Sequence, residues 1–204
     1  MGAPDFAFER ELFARGCRLV AGVDEVGRGP LAGPVGVAAV ILDPDDPPEG
    51  VDDSKTLSPA RREALCELVY AKALCVSIAF ASVAEIDARN IRGATLLAMA
   101  RAVNGLSLRA DFALVDGRDV PDGLCCPARA IPHGDARSAS IAAASIVAKV
   151  ARDALMRRLD AVCPGYGFAR HAGYATRAHI EALARLGPTP FHRRSFRVRG
   201  DIIG

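Results

Sequence analysis

The chain has 204 residues, half of them hydrophobic and a quarter charged, with a formal net charge of +2. That balance suits one globular domain with a sizeable core, and the small charge does not by itself announce a nucleic-acid binder. No apolar run reaches the roughly 18 residues a membrane-spanning helix needs, and the start MGAPDFAFERELFARG carries acids where a secretory signal has an apolar centre. A cytoplasmic protein with no membrane partner is expected. The cysteines at 17, 66, 75, 125, 126 and 163 show no C-x-x-C spacing, which predicts reduced thiols and neither disulfides nor zinc.

Residues 18–24 are mostly apolar and end at two acids before a glycine-rich turn, which predicts a buried strand. Residues 35–42 form a second apolar run rich in Val. Gly27, Gly29, Gly33 and Gly36 lie between or within the two runs, implying a sharply bent hairpin connection that brings backbone close to something. Four punctuating residues, Pro44, Pro47, Pro48 and Gly50, make 43–51 a loop. Ser58 and Pro59 predict a helix start, with helical spacing over 61–73. Residues 75–81 alternate like a third strand, and 82–106 predict a helix broken near 90–93. A short strand at 112–115 stops at Asp116–Gly117, and another extended run at 128–132 ends at His133–Gly134–Asp135.

Residues 138–162 have helix-forming composition, with Ala, Ile and Val on one face and Lys149, Arg152, Asp153, Arg157 and Arg158 on others. A Gly/aromatic loop is expected at 164–173, then a last helix capped by Thr176 and ended near Leu186 by Gly187 and Pro188. The order β-β-α-β-α-β-β-α-α, opening with a hairpin, predicts a mixed sheet flanked by helices. A single α/β domain over 1–204 is expected, with 1–17 as an N-terminal extension and 164–204 as a C-terminal helical segment. The run HRRSFRVRG gathers Arg193, Arg194, Arg197 and Arg199 around Phe196. It can hold phosphates by charge and forked hydrogen bonds, or it is a solvated tail.

Four acids share one setting. Asp24 and Glu25 end the first strand, Asp116 ends a later one, and Asp135 follows another. Negative charge beside the core is costly unless cations or donors compensate it. Neighbouring strands would bring these ends to one edge of the sheet, where open α/β sheets place their sites. Carboxylates without histidine or thiolate partners are hard oxygen ligands, suited to Mg²⁺ or Mn²⁺ and not to zinc. Two such ions can clamp a phosphodiester between them. A single strand-end Asp is more often a turn former or helix cap, and it is the set of four that points to metal.

The segment AGVDEVGRGPLAGPV resembles the opening motif of the ribonuclease HII family. DDSKTLS at 52–58, Ile86–Asp87 with Asn90–Ile91, LVDG at 114–117 and GDAR at 134–137 are similar to later motifs of that family, in its order. SIAAASIVAKVARD at 140–153, YGFARHAGYAT at 166–176 and HRRSF at 192–196 complete the series. The resemblance implies a ribonuclease H-like fold and a two-ion Mg²⁺ or Mn²⁺ site on Asp24, Glu25, Asp116 and Asp135. It also implies a G-R-G loop, Gly27–Arg28–Gly29, whose backbone reads a ribonucleotide 2′-hydroxyl in the minor groove, as side-chain-free backbone can. Tyr174 would touch the same hydroxyl and stack on the next deoxyribose; on its own it would read as a half-buried loop anchor. Lys55 and Ser145 would help position phosphates, where the plain readings are a surface lysine and a packing serine.

Asp153 is a candidate fifth acid, but Lys149, Arg152 and Arg157 nearby favour a helix-surface ion pair. Two departures weaken the basic contacts: His133 replaces a lysine before G-D, and Ala172 and Ala175 stand where the family often has K-G-Y-P. The implied substrates are RNA/DNA hybrids and DNA duplexes containing ribonucleotides, cut by a monomer, and the C-terminal DIIG shows no clamp-binding peptide. Three rivals stand beside this reading: the related type HIII enzyme, which usually carries an extra N-terminal domain; a non-catalytic RNA/DNA-binding protein on the same fold; and a serine or cysteine hydrolase. The last lacks a G-x-S-x-G elbow, and His171, His179 and His192 lack evident nucleophile partners.

Overall fold

Apolar runs too short for helices but long enough for buried strands build the centre of the molecule. The computed structural model describes residues 3–52, 54, 57–198 and 201–202. In it, β1 (Val20–Val26) and β2 (Val35–Leu42) pair antiparallel, and β2 pairs antiparallel with β3 (Ala73–Ala81). On its other side β1 runs parallel to β4 (Phe112–Asp116), which runs parallel to β5 (Ala128–Ile131). The sheet order is β3-β2-β1-β4-β5, the mixed sheet expected. β2 is buried along its whole length, as a strand covered on both faces must be.

Helices cover both faces. α3 (Val83–Asn104) packs Ile86, Ala94, Ala98 and Met99 against Ala21, Val23, Val37 and Ala39. α2 (Pro59–Lys72) and α4 (Ala139–Val162) pack Leu65, Val69, Ala143 and Ile146 against Ala38 and Val40 on the opposite face. Gly22 allows the closest approach, since a Cβ there would fall 2.1 Å from the Ser140 carbonyl carbon. The alanine-rich start of α4 therefore lies directly on β1. Ser58 and Thr176 cap their helices as the sequence predicts, and Ser82 and Ser138 do the same for α3 and α4; each accepts a backbone N–H of the first turn. The break in α3 falls at Asn90, whose backbone leaves the helical region and whose side chain caps Gly93. No helix among the described residues is long and apolar enough to cross a membrane.

The structure adds elements that the sequence reading left out. The N-terminal stretch contains α1 (Ala7–Ala14), and the expected loop at 164–173 contains the single-turn α5 (Phe168–His171) before α6 (Arg177–Leu186). A short hairpin of β6 (Arg197–Val198) and β7 (Asp201–Ile202) follows. The first strand also runs to residue 26, so both its acids lie inside the strand.

α1 is held by one buried acid. Glu9 Oε1 accepts from the Ser138 hydroxyl (2.6 Å), the Ser140 hydroxyl (2.5 Å) and the Ser140 N–H (3.1 Å). Beside it, the Ala139 N–H donates to the Asp5 carbonyl at 2.9 Å. The N-terminal arm thus braces the first turn of α4, immediately after the 3₁₀ turn Gly134–Ala136. Both contacts span more than a hundred residues of chain, which is why no local pattern announced them.

At the other end, α5 and α6 close over a ring cluster. Tyr166 stacks on Phe168 with centroids 5.4 Å apart, and the buried rings of His179 and His192 meet Nε2 to Nε2 at 3.1 Å. The Thr189 N–H donates to His192 Nδ1, so His192 carries its proton on Nε2 and donates to His179. His179 in turn donates from Nδ1 to the Tyr174 carbonyl at 2.9 Å. Every nitrogen in the chain then has a partner only if both rings are neutral.

Two outcomes follow for stability. Replacing Glu9 by Ala leaves the Ser140 N–H and two buried hydroxyls without their acceptor, at about 1–3 kcal/mol. For a chain of this size that is a fall of roughly 2–12 °C in melting temperature, and an unchanged melting temperature would show that α1 is not held through Glu9. Burial, with His179 alongside, pulls the His192 imidazole down to about 4. That lies below its unfolded value of about 6.5, so the unfolded chain takes up the proton first. Stability is complete above that unfolded value and is lost as pH falls toward the folded one. Thermal melts across this window will show the loss, and His192→Gln will flatten it; an equal slope in the variant would place the effect elsewhere.

Candidate active site

Asp116 ends β4, and Asp24 lies just past the last residue of β1 paired with it, at the C-terminal edge of two parallel strands where open α/β sheets bind their ligands. Glu25 follows Asp24, and one oxygen from each of Asp24, Glu25 and Asp116 lies within 4.8 Å of the other two. Asp135 is buried on the 3₁₀ turn after β5. It is not within that tight group, but its charge bears on Asp24. The turn is tied to the cluster by the Gly134 N–H, which donates to Asp116 Oδ1 at 2.6 Å. The approach is close, since a Cβ on Gly134 would sit 2.6 Å from Ile141 Cδ1 and 3.3 Å from Asp116 Oδ1.

Burial pushes the Asp24 carboxyl well above the usual range, and the charges of Glu25, Asp116 and Asp135 add to it, against a hydrogen bond from Ser145. Glu25 is also raised, by burial first and by Asp116, with Arg28 opposing. Like charges held together in a half-dry site destabilise one another until a cation joins them. All the donors are carboxylate oxygens, so the arrangement fits a hard divalent cation and offers nothing soft.

Beside the acids lies the glycine loop. Gly27 has a φ of +88°, and a Cβ on it would fall 2.0 Å from Arg152 Nε, so both conformation and space demand glycine. Arg28 is exposed and reaches back to Glu25 at 3.4 Å. Gly29 faces the Tyr174 ring, with Cε1 3.6 Å from where a Cβ would stand. Tyr174 itself is 43% exposed. The structure therefore brings Gly27, Arg28, Gly29 and Tyr174 together as one wall next to the carboxylates. A groove of about 460 Å³ is lined by Tyr174 together with Arg62, Lys149, Asp153, Arg157 and Arg170 among others.

Other sequence candidates fall differently. Ser145 is buried beneath the acids, 2.7 Å from the Ser54 hydroxyl and bonded to Asp24, so it meets a carboxylate and not an exposed phosphate path. Lys55 and Arg199 lie outside the described residues. Asp153 pairs with Lys149 at 2.8 Å and approaches Arg62 at 4.0 Å, the ion pair expected, though not with Arg152.

Two arginines read from sequence as surface charges are fully buried. Arg152 donates to the carbonyls of Pro34 (2.9 Å), Ala172 (3.0 Å) and Ala32 (3.2 Å). Arg193, assigned to a phosphate-holding run or a solvated tail, donates to the carbonyls of Gly33 (2.9 Å), Arg28 (2.9 Å) and Gly27 (2.6 Å). Burial, helped by the neighbouring Arg152 charge, draws Arg193 down to about 9, which leaves it cationic at neutral pH. Position 152 was legible: Ser145, Ala148, Arg152 and Met156 form one buried helical stripe. Arg193 had no such signal, because it lies in irregular chain whose environment comes from residues some 160 positions earlier.

The model of the family described as Ribonuclease HII matches residues 21–199. Ribonuclease HII of Brucella ovis is 58% identical over 195 residues, covering 95% of this chain and 89% of the relative. Among solved structures, the ribonuclease H2 of Pyrococcus horikoshii is similar with a TM-score of 0.76 and 27% identity, covering 88% of this chain and 94% of that one. The RNase HII of Archaeoglobus fulgidus, solved in complex with PCNA, gives 0.74 and 29% over 91% and 98%. With strand-end acids, glycine loop and sheet order all in the matched span, the chain belongs to the ribonuclease HII family.

Proposed function

We propose that this chain is an endonuclease that hydrolyses the RNA strand of RNA/DNA hybrids and incises duplex DNA on the 5′ side of a single embedded ribonucleotide. The products would carry 3′-hydroxyl and 5′-phosphate ends. The observation that supports this most is the adjacency of two features: a convergent, partly buried carboxylate cluster and a wall of bare backbone and one exposed tyrosine. The first suits phosphodiester chemistry and the second suits close reading of a sugar.

Asp24, Glu25, Asp116 and Asp135 are the residues that would hold Mg²⁺ or Mn²⁺. When bound, two such ions supply Lewis acidity to an attacking water and to the leaving oxygen. The chain's own part is to hold three of the carboxylates on β1 and β4 and the fourth on the 3₁₀ turn after β5, to keep Asp24 oriented through Ser145, and to screen Glu25 with Arg28. The Gly27–Arg28–Gly29 backbone approaches the ribose, where a 2′-hydroxyl distinguishes RNA from DNA. Tyr174, over Gly29, sits where it can pack on the neighbouring sugar.

A duplex with one ribonucleotide, assayed with Mg²⁺, Mn²⁺ or EDTA beside an all-DNA control, tests the reading. A metal-dependent nick 5′ to the ribonucleotide is expected; tight binding without cutting would support a non-catalytic hybrid binder. Asp24→Asn is expected to reduce turnover by more than about 10³-fold, beyond what loss of one electrostatic donor costs, with duplex binding retained. Turnover retained in that variant would refute the ligand assignment. Tyr174→Ala is expected to lower kcat/KM on the single-ribonucleotide duplex about tenfold, the loss of one contact near 1.4 kcal/mol, with the metal dependence unchanged. An unaltered rate would remove Tyr174 from recognition.

A further inference from the structure

We infer that Arg193 is a specificity-determining positioning residue: by clamping the Gly27 and Arg28 carbonyls from inside, it turns the Arg28 and Gly29 amides outward as fixed donors for a ribose hydroxyl. The inference rests on the proposed reading that this loop meets the sugar. Its geometric basis is independent of that reading.

A peptide group is planar and, throughout the described residues, trans. Its C=O and the following N–H therefore point in opposite directions. Arg193 Nη2 binds the Gly27 carbonyl at 2.6 Å and Nη1 the Arg28 carbonyl at 2.9 Å. The Arg28 N–H and the Gly29 N–H must then face away from a guanidinium that is completely buried. Arg28 and Gly29 are exposed, so both amides are presented at the surface. Among the described residues neither amide has an acceptor within the protein.

The clamp is closed from several sides. Arg193 Nε reaches the Gly33 carbonyl, and its own N–H donates to the Leu31 carbonyl at 2.8 Å. Arg152 holds Ala32, Pro34 and Ala172 from the neighbouring position. Gly173 presses on the Ala32 carbonyl, where a Cβ would come within 2.5 Å, and this ties the Tyr174 segment to the same loop. The Asp87 carboxylate accepts the Arg194 and Ser195 N–H groups and fixes the turn that carries Arg193. Three carbonyls of one loop are reached in different directions by a planar fork of donors. Lysine has the charge and three donors, but they radiate from one nitrogen on a flexible stem, so it lacks the rigid planar fork that fixes the direction of two adjacent peptide planes.

The test is Arg193→Lys, read in two ways. The first compares binding of an all-DNA duplex with that of a duplex bearing one ribonucleotide, in EDTA, alongside kcat/KM and the half-saturating Mn²⁺ concentration. The preference for the ribonucleotide and kcat/KM are expected to fall about tenfold or more, near 1.4 kcal/mol, with the Mn²⁺ requirement unchanged. The second follows ¹H–¹⁵N signals of Arg28 and Gly29 in the free protein, which should shift or broaden while β1 and β4 amides keep their exchange protection. A folded variant with undiminished preference, or with undisturbed Arg28 and Gly29 signals, overturns the inference. Should the variant not fold, wild-type protein titrated with the two duplexes decides: equal responses of these amides to both overturn it. Failure of the wild type to cut any ribonucleotide-bearing duplex would instead refute the proposed function, and the variant's amide signals would still report on the clamp.

Discussion

Carboxylates that share a few ångströms of partly buried space repel one another, and the fold is arranged around carrying that repulsion. Burial pushes the Asp24 carboxyl well above its ordinary value, with Glu25, Asp116 and Asp135 all acting on it. Such an arrangement persists only if the backbone that carries it is over-determined. Here the parallel pairing of β1 with β4, the close contact of β1 on α4 at Gly22, and the tie from Gly134 to Asp116 supply that rigidity. A divalent cation converts the same strain into binding energy, so local instability and metal preference have one physical cause.

A second buried charge, of opposite sign, supports the neighbouring wall. Arg152 and Arg193 lie fully inside the protein, and their guanidinium groups donate to backbone carbonyls of the glycine loop and the Tyr174 segment. Buried cations are costly unless their donors are satisfied. A loop too glycine-rich to hold its own shape satisfies them by offering carbonyls. Each solves the other's problem: the loop gains rigidity and the arginines gain acceptors. The neutral His179–His192 pair does similar work behind Tyr174, with its ordered protons ending on the Tyr174 carbonyl. At the far side, Glu9 holds the start of α4 beside the turn bearing Asp135.

Much of this is legible in the amino-acid sequence. The strands, the capped helices, the break at Asn90 and the acids at strand ends follow from hydrophobic period, turn chemistry and the local cost of charge near a core, all of which act within a few residues. The short-range readings missed α1, whose stability comes from docking, and α5, a single turn with no period to detect. They also placed Arg152 and Arg193 on the surface, because arginine is exposed unless distant chain supplies acceptors.

What the sequence by itself determined is therefore the list of parts: which segments become strands or helices, which acids sit where strands end, and which glycines the backbone requires. Only the tertiary structure decided how those parts act together. It brought Asp116 to Asp24 across a parallel pairing, carried Tyr174 over Gly29, and sent two arginines inward to orient a loop some 120 to 166 residues away in the chain. The reason is physical: propensity and periodicity are properties of neighbouring residues, whereas burial, electrostatic repulsion and the direction of a hydrogen bond depend on what the folded chain places alongside.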